Sequence, residues 1–167
     1  MKFKFEIPLT IGFYIDTTGN DGPATQDTIE KCISLASKAL EGKRDNDGNA
    51  AILHSITVGM MGETDTEKCA GFLHEVVDEG DVSLDDLRFD DIPEDVVKAV
   101  DLCSHDDSLS YDEYIQRIIS SGNATAINVK KNDLRHNLAR AKAGNHPDLV
   151  EKYESALAKI EKSLLER

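Results

Sequence analysis

Four residues carry the donors that a divalent transition metal favours: His54, the adjacent pair His74-Glu75, and Asp133. Two imidazoles and two carboxylates suit Mn²⁺, Fe²⁺, Co²⁺ or Zn²⁺ and differ from a thiolate zinc site. The adjacent pair opens the run His74-Glu75-Val76-Val77-Asp78-Glu79-Gly80-Asp81, in which carboxylates crowd the end of an apolar segment. On a continuous helix Asp78 falls one turn after His74, and Glu79 one turn after Glu75. Gly80 then stands just past the helix end. Carboxylates there oppose the helix dipole by about 0.3–1 kcal/mol each, and a bound cation would explain that broken rule. Taken alone, the run reads more simply as a solvated acidic helix end. Neighbouring helical residues point about 100° apart, so His74 and Glu75 could hold one ion only from its rim or from two sides. Spacing leaves open whether the groups converge.

The groups can meet only if the elements that carry them pack together. Residues 25–43 place Ile29, Cys32, Ile33, Ala36, Ala39 and Leu40 on one helical stripe. A second helix over residues 50–61 carries His54 among Ile52, Leu53, Ile56 and Met60. A third starts at Thr64, where Thr64-x-x-Glu67 reads as a capping box, and runs through His74-Glu75. Ser83-x-x-Asp86 marks a short helical turn, Pro93 suits a first turn, and Ser110-x-x-Glu113 is a further capping box. The penultimate helix, residues 124–142, carries Asp133, and the last spans residues 147–165. Periodicity and caps give an all-α domain of about six or seven helices over residues 25–167. Residues 1–24 read as an N-terminal arm and loop: Phe3, Phe5, Ile7, Leu9, Ile11 and Phe13 alternate as an extended arm or hairpin, ahead of a turn-rich stretch.

Composition narrows the function classes. The net charge is −13 with no basic block, which argues against nucleic-acid polymers as partners but not against a small phosphorylated substrate. No run of about 18 apolar residues exists, so no membrane span is expected. The alternating start lacks the apolar core of a signal peptide, and a cytoplasmic location is expected. Cys32, Cys69 and Cys103 sit at helical apolar positions without CxxC spacing, so they read as buried thiols. Of the other histidines, His105 reads as solvated, His136 as a supporting or structural residue, and His146 as a helix-start residue. Tyr111, Tyr114 and Tyr153 read as packing residues.

Three segments in order carry a family resemblance. They are Ala51-Ile52-Leu53-His54, the long run Phe72-Leu73-His74-Glu75-Val76-Val77-Asp78-Glu79-Gly80-Asp81-Val82-Ser83-Leu84-Asp85-Asp86-Leu87, and Lys130-Lys131-Asn132-Asp133-Leu134-Arg135-His136-Asn137. Together they resemble the HD-domain phosphohydrolases, in particular the hydrolase branch of the Rel/SpoT family and its small single-domain relatives, over roughly residues 27–165. The resemblance implies an all-α HD-domain helical bundle and Mn²⁺-dependent chemistry. It implies His54, His74, Glu75 and Asp133 as metal ligands, with Glu75 standing where the family has aspartate. Asp78 and Glu79 then stand at the acids that orient or activate the attacking water, in reversed order. Arg44 and Asn137 match nucleotide-contacting positions, and Lys130 would offset phosphate charge if it is not simply a helix-surface lysine. Asp45 follows Arg44 where a basic residue is common, and Ser55 replaces a usual proline.

The function this implies is hydrolysis of a phosphate or pyrophosphate group from a small nucleotide, with a ppGpp-like 3′-pyrophosphate favoured. An NADPH or nucleoside-phosphate phosphatase is the alternative within the enzyme class. A degenerate HD module that binds a nucleotide or protein partner without turnover is the alternative outside it. A homo-oligomer is compatible with either.

Overall fold

The computed structural model describes residues 20–166, so most of the expected N-terminal arm, residues 1–19, lies outside the described residues. Among them the chain forms nine helices: α1 (Gln26–Ala39), α2 (Ile52–Met60), α3 (Asp65–Leu73), α4 (Val76–Glu79), α5 (Leu84–Phe89), α6 (Glu94–Cys103), α7 (Tyr111–Ser121), α8 (Ala124–Ala143) and α9 (Pro147–Leu165). The only β pairing among these residues is two isolated bridges, Asn20 with Pro93 and Arg44 with Ala50. The count exceeds six or seven for two reasons. The helical turn expected after Ser83 is a six-residue helix, and the third helix does not run on to Gly80 but breaks at His74–Glu75.

The boundaries follow local chemistry. Ser83 with Asp86, and Ser110 with Glu113, form reciprocal capping boxes. Thr64 accepts from the Glu67 amide, but the Glu67 carboxylate turns elsewhere, accepting from the Glu63 amide at 2.8 Å and from Asn128 Nδ2 at 2.9 Å. Gly122 ends α7 in the left-handed region at φ 67°, where a Cβ would be strained. Pro93 caps α6 rather than entering its first turn.

α3 lies at the centre, packed on α1, α2, α6 and α8, while α8 and α9 form a helical hairpin. Cys69, Ala70, Gly71, Phe72 and Leu73 are all buried, so α3 is apolar nearly all round near its end, as a central helix must be. Its approach to α2 depends on two glycines. A Cβ on Gly71 would sit 2.7 Å from Gly59 Cα, and one on Gly59 would sit 2.1 Å from Phe72 Cδ1. The bare backbones therefore touch one turn beyond His54 on α2 and just before His74 on α3. Cys32, Cys69 and Cys103 are free thiols in this core. No described helix is long and apolar enough to cross a membrane.

Candidate metal centre

His54, His74, Glu75 and Asp133, from α2, the α3–α4 junction and α8, come together at one point. His54 Nε2 lies 3.2 Å from His74 Nε2, 3.0 Å from Asp133 Oδ1 and 3.7 Å from Glu75 Oε1. His74 Nε2 lies 3.7 Å from the same Asp133 oxygen. Both histidines and Asp133 are buried, and Glu75 is about one-quarter exposed. The helix break brings Glu75 in. Its backbone adopts φ −103° and ψ −7°, in the bridge region between helix and strand. The side chain thereby escapes the fixed 100° offset from His74 that a continuous helix imposes.

The outer contacts fix the donors. His74 Nδ1–H donates to the Gly71 carbonyl at 2.6 Å, leaving the Nε2 lone pair facing His54. His54 Nδ1 meets His136 Nδ1 at 2.7 Å. Burial, His54 and Arg140 hold His136 below the ordinary histidine pKa. In the tautomer that frees His54 Nε2 as a second lone-pair donor, His54 carries its proton on Nδ1 and donates it to His136 Nδ1. Ser55 Oγ, fully buried, donates to Glu75 Oε2 at 3.2 Å and holds the longer acid in place.

Asp133 is the hub. Its Oδ1 accepts from Asn137 Nδ2 at 2.6 Å, and its Oδ2 accepts from Lys130 Nζ at 2.7 Å. Burial opposes its charge, but Lys130 and the two histidines hold its carboxyl well below the usual carboxylate range. Burial likewise opposes charge on Lys130, and Asp133 with the Tyr114 and Tyr111 hydroxyls holds the ammonium well above its ordinary value. Lys130 is therefore no helix-surface lysine. It is 8% exposed, with Nζ 4.9 Å from the Tyr114 ring centre, and it reaches Asp133 rather than the cleft. Burial lowers the His74 pKa, but Asp133 and Glu75 outweigh it and the net shift is upward. A proton thus competes with a metal for this nitrogen.

These residues fit a divalent ion. Ligand atoms about 2.1 Å from one centre stand about 3.0 Å apart at a right angle and about 3.4 Å apart at the tetrahedral angle. The four separations above run from 3.0 to 3.7 Å, and donors from His54, His74 and Glu75 all lie within 4.8 Å of one another. The second histidine partner gives a direct test. His136→Ala is expected to weaken Mn²⁺ affinity about 10- to 100-fold, because it frees the His54 ring to rotate and change tautomer; titration calorimetry reads the change.

A cleft of about 320 Å³ opens beside this centre. Of the residues expected to contact substrate or water, Arg44, Asn137 and Glu79 line it. Asp78 does not: its Oδ2 accepts from the His105 amide at 2.9 Å, and desolvation pushes its carboxyl up. Sequence reasoning missed Arg140, His146 and Asp47 as cleft residues, and took Tyr153 for packing alone. A signal existed for Arg140: Asp133, Asn137 and Arg140 follow i, i+4, i+7 spacing and share one face of α8. His146 precedes α9, yet its Nε2 also lies 3.2 Å from Asp47 Oδ1, a contact across 99 residues that no local pattern announces.

The architecture is an all-α helical bundle. No known family model matches the sequence, and no curated protein matches it. The solved structure of a metazoan ortholog of SpoT shares the fold, with a TM-score of 0.69 at 20% identity, over 86% of this chain and 88% of that one. That protein is described as hydrolysing ppGpp and playing a role in starvation responses.

Proposed function

We propose that this chain is a divalent-metal-dependent phosphohydrolase acting on a small nucleotide. The observation that carries the reading is the convergence of His54, His74, Glu75 and Asp133 beside a cleft that also offers Arg44 and Glu79. Held by His54, His74, Glu75 and Asp133, a divalent ion, Mn²⁺ being the leading candidate, would supply Lewis acidity toward a water and a phosphoryl oxygen. The protein supplies position and proton handling. His136 and the Gly71 carbonyl keep both Nε2 atoms as donors, and Lys130 keeps Asp133 ionised. Glu79 orients the attacking water and accepts its proton. Arg44 receives phosphate through its planar fork or stacks on the base. Asn137 spans Asp133 and the cleft. Ala51, Ala141, Leu149 and Tyr153 give the lining an apolar side for the nucleoside.

Removal of a 3′-pyrophosphate from a ppGpp-like nucleotide is the first reaction to test, since the protein sharing the fold is described as hydrolysing ppGpp. NADPH and nucleoside phosphates complete the panel. Metal-stripped protein reloaded with Mn²⁺ is expected to release pyrophosphate or phosphate from at least one of them. No release from any would overturn the enzyme reading and leave a module that binds without turnover.

A further inference from the structure

The cleft is unusually poor in usable positive charge. Its lining holds two arginines, Arg44 and Arg140, against four carboxylates, Asp45, Asp47, Glu75 and Glu79. Arg140 is already engaged: its Nη2 donates to Asp45 Oδ2 at 2.8 Å. His146 Nε2 lies 3.2 Å from Asp47 Oδ1. Arg44, whose Nη1 donates to the Lys43 carbonyl, is the one cleft guanidinium without a carboxylate partner among the described residues.

The Asp45–Arg140 pair is also built to stay closed. Asp45 Oδ1 accepts from the amides of Asp47 at 2.9 Å and Asn49 at 2.8 Å, and Oδ2 accepts in addition from Asn49 Nδ2 at 3.3 Å. Some desolvation opposes its charge, but these Asn49 and Asp47 bonds and Arg140 hold its carboxyl below the ordinary value. Asp45 thus remains an anion facing the cleft, and withdrawing Arg140 would bare it to any incoming phosphate. The net charge of −13 adds a repulsive field for polyanions.

We infer that Asp45, by sequestering Arg140, is a specificity-determining residue that restricts the cleft to nucleotides carrying phosphate at one end only. The class is a nucleoside phosphate or pyrophosphate phosphorylated at one end of the sugar, since the metal centre and Arg44 serve one phosphorylated end and the lining offers no second arginine free of a carboxylate partner. This rests on the nucleotide reading above and turns it away from substrates phosphorylated at both ends, ppGpp among them.

The test is a double-mutant cycle read by binding. Affinities for guanosine 3′-monophosphate and for ppGpp are measured by calorimetry on wild type, Asp45→Asn, Arg140→Met and the double variant, each loaded with Ca²⁺ in place of Mn²⁺ to suppress turnover. Asparagine keeps the Oδ1 acceptor for the loop amides, so the fold of the loop is preserved, and circular dichroism checks it. Wild type is expected to bind the monophosphate at least about tenfold more tightly than ppGpp, the worth of one charge-assisted hydrogen bond. Asp45→Asn is expected to close that gap by freeing Arg140, Arg140→Met to widen it by baring Asp45, and the double variant to lose the gain seen in Asp45→Asn. Three results overturn the inference: wild type preferring ppGpp, a gain in Asp45→Asn that survives loss of Arg140, or no binding of either probe. Parallel assays with Mn²⁺ separate the two readings. Selective binding without product release sinks the enzyme proposal and leaves the selectivity standing.

Discussion

Replacing Asp133 by alanine is expected to destabilise the metal-free protein by about 3–5 kcal/mol, because it strands the Lys130 ammonium in the interior. The ammonium is 8% exposed, and its carboxylate partner is the 2.7 Å bond to Asp133. The same change removes the oxygen nearest His54 Nε2 and the acceptor for Asn137, so the thermal shift given by Mn²⁺ is expected to vanish. A companion variant separates the two effects. Replacing the buried pair together, Lys130→Met with Asp133→Leu, removes the stranded charge, and such exchanges are often neutral or stabilising. Its urea stability is expected to return to near wild type while Mn²⁺ binding stays lost. Recovered metal binding in that double variant would show that Asp133 is no ligand.

The second large effect is expected at Gly71. An added methyl would lie 2.7 Å from Gly59 Cα and 2.9 Å from Gly59 N, both backbone atoms that no rotamer change can move aside. Gly71→Ala must therefore push α2 and α3 apart, at about 1–3 kcal/mol or somewhat more for overpacking of this kind. His54 rides on α2, and Gly71 also carries the carbonyl that orients the His74 ring. Mn²⁺ affinity is thus expected to fall together with stability in a urea melt and a metal titration. Gly42→Ala is the control. No atom lies within 4 Å of its Cβ position, and its left-handed backbone gives only local strain. It is expected to leave metal affinity unchanged.

What could be read from the sequence was what repeats with helical period or caps a helix. The stripe Ile29, Cys32, Ile33, Ala36 named the buried face of α1, and the Ser83 and Ser110 boxes fixed the starts of α5 and α7. The break at His74–Glu75 was not legible, because no glycine or proline stands at either residue. The burial of Lys130 was equally hidden, since a lysine at a helical polar position looks solvated until the Asp133 carboxylate and the Tyr114 ring are seen beside it.

Three residues that depart from the resembled pattern also acquire physical roles. Glu75 is a methylene longer than aspartate, and Ser55 stands where proline is usual; the Ser55 hydroxyl donates to the Glu75 carboxylate, so the two changes act together. Asp45 holds Arg140 and ties its own loop. In sequence these were three isolated oddities, because residues 20 and 95 positions apart meet only in the folded chain.

Under the proposed function four side chains, His54, His74, Glu75 and Asp133, hold one ion. A crystal structure of the protein grown with Mn²⁺, with anomalous scattering to identify the metal, tests it most directly. One strong peak ligated by His54 Nε2, His74 Nε2, a Glu75 oxygen and Asp133 Oδ1 is expected. A map at saturating Mn²⁺ with no peak among these atoms, or with the ion bound elsewhere, would contradict it.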